Sequence, residues 1–180
     1  MPAYNAAKTL ADTIRRIPRG VHRLILVDDG SQDDTVALAR SLGLEVICHP
    51  HNVGYGGNQK TCYLEALRSD VDAVVMLHPD GQYDPHLITD LVQPILEGRA
   101  DLVLGSRFLN PAGVRTSGMP VWKIVGNRFL TWAENTIMGT HFSECHTGYR
   151  AYRAAFLRRI PFLRNADDFV FDTEVIAQAV

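Results

Sequence analysis

Short apolar runs that stop abruptly at polar residues, each separated from the next by a helical pattern, recur through the first two-thirds of this chain. Leu24-Ile25-Leu26-Val27 is apolar without alternation and ends at Asp28-Asp29-Gly30-Ser31. Such a run is the mark of a strand buried on both faces. Leu44 to Cys48, Ala73 to Leu77 and Leu102 to Leu104 repeat the pattern. Between them lie helical spacings. Leu10, Ile14 and Ile17 end before Pro18. Ser31 and Asp34 form a capping-box pattern ahead of Val36, Ala37 and Leu38, closed by Gly43. Asn58 to Leu67 and Leu87 to Leu96 follow, the latter ended by Gly98. Strands alternating with helices of this length predict an α/β chain with a Rossmann-like, mostly parallel central sheet flanked by helices.

Beyond Gly105 the rhythm changes. A loop rich in Gly, Pro and Ser (Asn110 to Pro120) leads to a long helix over Val121 to Met138, then to a polar segment at Glu144 to Arg150 and two shorter helical patterns. With no linker in view, residues 1–180 read as a single domain. Pro2-Ala3-Tyr4-Asn5 resembles the end of a strand lacking its apolar body, and the chain stops inside a helical pattern at Val180, so truncation at both ends is expected.

Composition narrows the function classes. At 180 residues, 46% hydrophobic and 21% charged, the chain can bury a core without disulfides or structural metal. A formal charge of -2 gives no basic field for nucleic acid. Cys48, Cys62 and Cys145 are scattered, with no CxxC, and read as small buried hydrophobes in a reducing compartment. No apolar stretch of about 18 residues spans a bilayer. The N-terminus lacks a signal-peptide pattern. A cytoplasmic location is expected.

In open parallel sheets ligands bind beyond the carboxyl ends of the strands. Here the unusual polar residues gather at those ends: Asn5; Asp28 and Asp29; His49, His51 and Asn52; His78, Asp80 and Gln82; Ser106 and Arg107. A strand-end carboxylate such as Asp28 or Asp29 suits the hydroxyls of a ribose, and equally a helix N-terminus. His78-Pro79-Asp80-Gly81-Gln82 offers an imidazole nitrogen, a carboxylate and an amide oxygen, a donor set for Mg²⁺ or, given the imidazole, Mn²⁺. The same residues also make an ordinary Pro-Asp-Gly turn, with Asp84 an N-cap. Asn52 to Asn58, with Gly54, Gly56 and Gly57, is a Gly-rich loop suited either to close approach of a ligand at a helix N-terminus or to a plain connection. Arg107 and Arg150 are candidate phosphate partners.

Taken in order, Pro-Ala-Tyr-Asn, Val-Asp-Asp-Gly-Ser, Asn-Val-Gly-Tyr-Gly-Gly, an acidic motif before Gly-Gln-Tyr-Asp-Pro, Gly-Ser-Arg-Phe and Thr-Gly-Tyr-Arg resemble family 2 glycosyltransferases, most of all the branch of dolichol- and polyprenyl-phosphate sugar synthases. The similarity runs from Pro2 to Glu174. It implies a GT-A fold, a UDP- or GDP-linked sugar donor, a divalent metal (Mg²⁺ or Mn²⁺) and inversion at the anomeric carbon. It further implies that Ala3, Tyr4 and Asp29 line the nucleoside pocket with Asn5, Asp28 and Gly56 beside it. Asp80 would match the second acidic residue of the DxD motif, with Gln82 a further metal-side ligand. Arg107 and Arg150 would face the diphosphate or a phosphorylated acceptor. The first Asp of that motif is His78 here, which shifts metal preference and leaves room for a non-catalytic nucleotide-binding homologue. Glu144 stands where relatives often carry Asp. Asp172 and Glu174 fall in a further family-like segment, and also suit an early helical turn.

The chemistry implied is metal-assisted departure of a nucleoside diphosphate, with Arg107 or Arg150 adding positive charge. A hydroxyl acceptor, as on a saccharide, needs a general base, for which Glu144 is the first candidate. A lipid phosphate acceptor is already ionised and needs none. The long helix, with Val121, Trp122, Ile124, Val125, Phe129, Leu130, Trp132, Ile137 and Met138, reads first as an amphipathic core helix. The other reading is a peripheral membrane surface, at the inner face of a membrane, with Lys123 and Arg128 at headgroups. A sugar-nucleotide nucleotidyltransferase is the rival enzyme class. Asn5-Ala6-Ala7-Lys8 is not the Gly-rich basic loop such an enzyme shows after its first strand.

Overall fold

A computed structural model describes residues 1–109 and 120–180. The Gly-, Pro- and Ser-rich loop read from the sequence falls, but for Pro120, outside them. Among the described residues, six strands are arranged as two three-stranded sheets. In the first, β1 (Pro2–Ala3), β2 (Ile25–Asp28) and β3 (Glu45–Cys48) are all parallel, with Ala3 opposite Asp28 and Asp28 opposite Cys48. In the second, β6 (Arg150–Arg153) lies between β4 (Ala73–Met76) and β5 (Leu102–Leu104) and runs antiparallel to both. The parallel arrangement therefore holds for the first half, and β6 makes the second half mixed. This strand escaped the sequence reading because Arg-Ala-Tyr-Arg is short and charged at both ends. Only its neighbours give it a reason to be extended.

Helices cover both faces. Along β2, Leu26 packs with Leu10, Ala39, Leu91 and Ile95, on the side of α1 (Ala7–Arg15), α2 (Thr35–Ser41) and α4 (Ile88–Leu96). Ile25 and Val27 face the opposite cluster with Cys62, Tyr63, Phe156, Leu157 and Phe171, on the side of α3 (Tyr55–Leu67), α6 (Ala154–Arg159) and α7 (Phe171–Ala179). The two-residue period of a strand makes this division. β6 divides the same way, Ala151 to the first cluster and Tyr152 to the second.

Helix α5 (Val121–Met138) is the exception, and it overturns the core reading of that segment. Trp122 is 71% exposed and Trp132 63%. Asn127, Thr131 and Asn135 face inward instead. Asn127 donates to Glu144 (3.1 Å), Thr131 accepts from the Cys145 amide (3.2 Å) and Asn135 donates to the Phe142 carbonyl (2.8 Å). Among the described residues no helix is long and apolar enough to cross a membrane. The cysteines are all free, and Cys48 is exposed at the end of β3, contrary to the buried reading.

A cavity of about 600 Å³ lies between the start of β2 and the length of β4, lined by Ile25, Val74, Met76 and Leu96 among others. Its lining is mostly hydrocarbon and holds none of the polar strand-end residues, so the chemistry is sought elsewhere.

Candidate active site

At the carboxyl edge a second cleft, about 310 Å³, gathers residues far apart in sequence. Ala3 and Tyr4 come from the end of β1, Asp29 from the end of β2, and His78, Pro79 and Asp80 from the turn after β4. Tyr55 and Asn58, from the first turn of α3, and Phe169, just before α7, complete it. Ala3 is buried at the floor, whereas Tyr4 (53% exposed) and Phe169 (76%) stand at the rim.

Asp29 is 4% exposed and heavily bonded. Its Oδ1 accepts from the Val53 amide (2.9 Å) and pairs with His49 Nδ1 (2.9 Å), and its Oδ2 accepts from the Gly54 amide (3.2 Å). A carboxylate has about four acceptor positions, so Oδ2 keeps one for a ligand. Asp28 is as deeply buried. Its Oδ2 accepts from the amides of Gly30 (3.2 Å) and Ser31 (2.9 Å), while Oδ1 has no partner among the described residues. Asp28 thus closes the turn behind the cleft. Asn5, at φ +52°, joins the same turn by accepting from the Gln32 amide (2.8 Å).

His78 is packed as a wall. It stacks on Tyr55 (5.5 Å between centroids, planes 7° apart). Its Nε2 is buried without a partner among the described residues and lies against Gly148, whose absent Cβ would stand 2.7 Å away. Burial drives the imidazole down to about 4, so it is neutral near neutral pH. Asp80 is exposed, and its Oδ1 accepts from the Gln82 amide (2.9 Å), leaving Oδ2 without a partner among the described residues. Gln82 is exposed beside it. No group of three or more His, Cys, Asp or Glu side chains converges on a cation position among the described residues. The donors therefore fit a cation held by a single carboxylate and completed by a ligand's phosphate oxygens and water, a usual arrangement for Mg²⁺. They do not fit an all-protein cage.

Three of the expected residues are engaged by the protein itself. Glu144, the candidate base, is 1% exposed. Its carboxylate accepts from the Arg107 amide (2.8 Å) and Nε (2.9 Å), from Arg107 Nη2, and from Asn127, so it is not available to take a proton from an acceptor. Arg107 is committed to the same pair and also donates to the His146 carbonyl (3.0 Å). Burial opposes its charge, but Glu144 outweighs this, with smaller contributions from Tyr83 and Asp80, so the guanidinium is held charged. Arg150 is fully buried and engaged by protein groups. It opens β6 between the ends of β4 and β5, donates to the carbonyls of Cys145 (2.9 Å), Thr147 (2.6 Å) and Asp172 (2.9 Å), and lies 3.4 Å from the Asp172 carboxylate. It fastens the 145–150 turn to the start of α7.

Gly56 is packed against protein. The helix begins at Tyr55, three residues earlier than its periodicity suggests, so the Gly-rich stretch is partly its first turn. Gly56 donates to the Asp167 carbonyl (2.7 Å), and a Cβ there would lie 2.4 Å from the Ala166 oxygen. The helix N-terminus is thus capped by the 166–167 backbone. Tyr55 is a cleft residue the sequence reading passed over, hidden among glycines. Its hydroxyl donates to Asp172 (2.8 Å), and burial followed by Asp172 pushes the phenol well above its usual range. Asn58 donates to the Val27 carbonyl (3.1 Å).

Comparison with known proteins gives a consistent result. The sequence model described as Glycosyl transferase family 2 matches residues 1–160. A UDP-N-acetylglucosamine–dolichyl-phosphate N-acetylglucosaminyltransferase of Methanococcus voltae is 29% identical, over 88% of this chain and 69% of its own length. Glycosyltransferase AglJ of Haloferax volcanii is 33% identical, over 98% of this chain and 56% of its own. Polyprenol monophosphomannose synthase of Mycolicibacterium smegmatis is 29% identical, over 89% and 62%. The chain thus spans 56 to 69% of the length of these relatives. Among solved structures, glucosyl-3-phosphoglycerate synthase from Mycobacterium tuberculosis shares the fold, with a TM-score of 0.73 and 24% identity over 99% of this chain and 65% of that one.

Proposed function

The chain belongs to glycosyl transferase family 2, and from that premise we propose that it moves a sugar, with inversion at the anomeric carbon, from a UDP- or GDP-sugar to a polyprenyl phosphate. The observation that carries the reading is the convergence of Ala3, Tyr4, Asp29 and Asp80, from three strand ends, in one cleft. Tyr4 and Phe169 offer flat faces to a base at the rim, small Ala3 leaves room beneath, and the free Oδ2 position of Asp29 accepts from the nucleoside. Asp80, with Gln82 beside it, would hold Mg²⁺ or Mn²⁺ together with the diphosphate. When bound, that cation offsets the negative charge gathering on the leaving diphosphate. His78 and Tyr55 wall the site and exclude water.

The bonding of the buried carboxylates supports this acceptor class. A saccharide hydroxyl needs a base. Glu144 is locked to Arg107, Asp29 to the 53–54 backbone, and Asp172 to Tyr55, Gln59 (3.1 Å) and Arg150. A phosphate acceptor attacks as an anion and needs none of them, which favours it over a saccharide. Two of the relatives are named for dolichyl-phosphate and polyprenol acceptors, in keeping with this choice.

The test is a thermal-shift panel of UDP, GDP and their sugars, with and without Mn²⁺, followed by a transfer assay offering polyprenyl phosphate or free saccharide. One diphosphate nucleotide should stabilise the protein in a metal-dependent way. Asp80→Ala should lose the metal-dependent part and leave the free protein within about 0.5 kcal/mol of wild type, because Asp80 is exposed. A flat response to every nucleotide from folded protein would refute the reading.

A further inference from the structure

We infer that α5 is a docking surface for an anionic lipid bilayer. The helix is mounted with its polar side on the protein and its apolar side outward. Trp122, Val125, Phe129 and Trp132 recur at helical spacing and are 71%, 62%, 61% and 63% exposed. Such a face on a globular protein marks an interaction surface. Its charge selects the occupant. The helix carries Lys123 and Arg128, both exposed, and its only acid, Glu134, faces inward, where it accepts from Thr173 (3.1 Å). Pairing two copies antiparallel about the middle of this stripe would set Arg128 against Arg128 with no outward acid to compensate. A negatively charged lipid surface complements both the cations and the tryptophans, which favour the boundary between headgroups and acyl chains. The surface is also continuous with the cleft. Phe169 lines the cleft, Val170 beside it is 53% exposed, and Thr173 one turn on is bonded to α5. A lipid-linked acceptor would reach the site along this edge, although the surface is argued from the helix alone.

Trp122 and Trp132 are the only tryptophans in the chain, so tryptophan emission reports this face and nothing else. The free protein should emit as solvent-exposed tryptophan. Vesicles of phosphatidylglycerol and phosphatidylcholine should shift the emission to shorter wavelength, brominated lipids should quench it, and the protein should sediment with the vesicles. Pure phosphatidylcholine or high salt should weaken the partition. Phe129→Glu should weaken it about ten-fold or more while leaving circular dichroism unchanged. Two results would overturn the inference: emission unmoved by either vesicle, or emission already blue-shifted in solution with a concentration-dependent dimer, which would mean a second copy covers the face. No donor, acceptor or turnover enters this test. Vesicle binding without nucleotide binding would therefore fault the proposed reaction and spare the surface, and the reverse result would do the opposite.

Discussion

Gly56 separates two explanations of one residue, and Gly56→Ala decides between them. As a ligand-approach glycine, its replacement would hinder the donor and leave stability alone. The packing says otherwise. A Cβ at 56 would lie 2.4 Å from the Ala166 oxygen, 2.9 Å from the Asp167 carbonyl carbon and 2.9 Å from Phe171 Cβ. Two of these atoms are backbone, and the 165–167 segment is tied down by Lys60, which donates to Asp167 (2.6 Å) and to the Asn165 carbonyl. Overpacking of this kind costs about 1–3 kcal/mol, and displacing Asp167 also stretches its bond from the Gly56 amide, worth about 1 kcal/mol. The helical gain of Ala over Gly returns up to about 1 kcal/mol. With the full helical gain returned, the net loss is about 1–3 kcal/mol, or roughly 2–12 °C in Tm for a chain of this size. Gly126→Ala is the matched control. Gly126 is exposed inside α5 with nothing within 4 Å of its missing Cβ, so there only the helical gain of up to about 1 kcal/mol remains. Urea titration of both variants is the assay. If Gly56→Ala proves as stable as wild type and loses nucleotide instead, the packing explanation fails.

Three further outcomes follow. Arg107→Ala leaves Glu144 buried without its cation and should cost about 3–5 kcal/mol, read as a lowered urea midpoint; a midpoint near wild type would show that the pair contributes little. His78 is depressed to about 4 in the folded protein from an ordinary 6.5. The unfolded chain binds its proton first as pH falls, so this contribution to stability is complete above about pH 6.5 and is lost on descent toward pH 4. Urea midpoints measured in EDTA across that window should fall for wild type and fall less for His78→Gln, and parallel curves would refute the assignment. Tyr55→Phe removes one hydrogen bond to Asp172 and should cost about 0.5–1.5 kcal/mol, with near-ultraviolet circular dichroism showing whether the stack on His78 survives.

The first half of the fold was open to sequence reasoning because its rules are local. Leu24 to Val27 is apolar on both faces and can only be a covered strand, and α1, α2 and α4 announce themselves by period and punctuation. β6 is different. Arg150 and Arg153 sit at the ends of a strand whose extended form is dictated by the edges of β4 and β5, and no window of residues contains those edges. Helix α5 was located correctly but faced the wrong way. Its apolar stripe is plain in the sequence, whereas the partners that draw its polar side inward, Glu144, Cys145 and Phe142, lie in a later loop with no periodicity to align.

The same distinction divides the candidate site. Asp29, His78 and Asp80 could be placed at one edge from topology alone, since each follows a strand and strand ends of a parallel set converge. Nothing in topology says whether a charged group at that edge faces the cleft or the protein. Arg107, Glu144 and Arg150 are all at the right edge and all spoken for. The full burial of Arg150 forces it to collect three carbonyls and a carboxylate, since an unpaired buried charge costs too much to persist. Those bonds hold Asp172, Asp172 holds Tyr55, and Tyr55 sets His78 against the floor of the cleft. A residue that resembled a phosphate ligand thus contributes by fixing the shape of the wall, and among the described residues the exposed Asp80 is left as the cleft carboxylate with an unpartnered oxygen for chemistry.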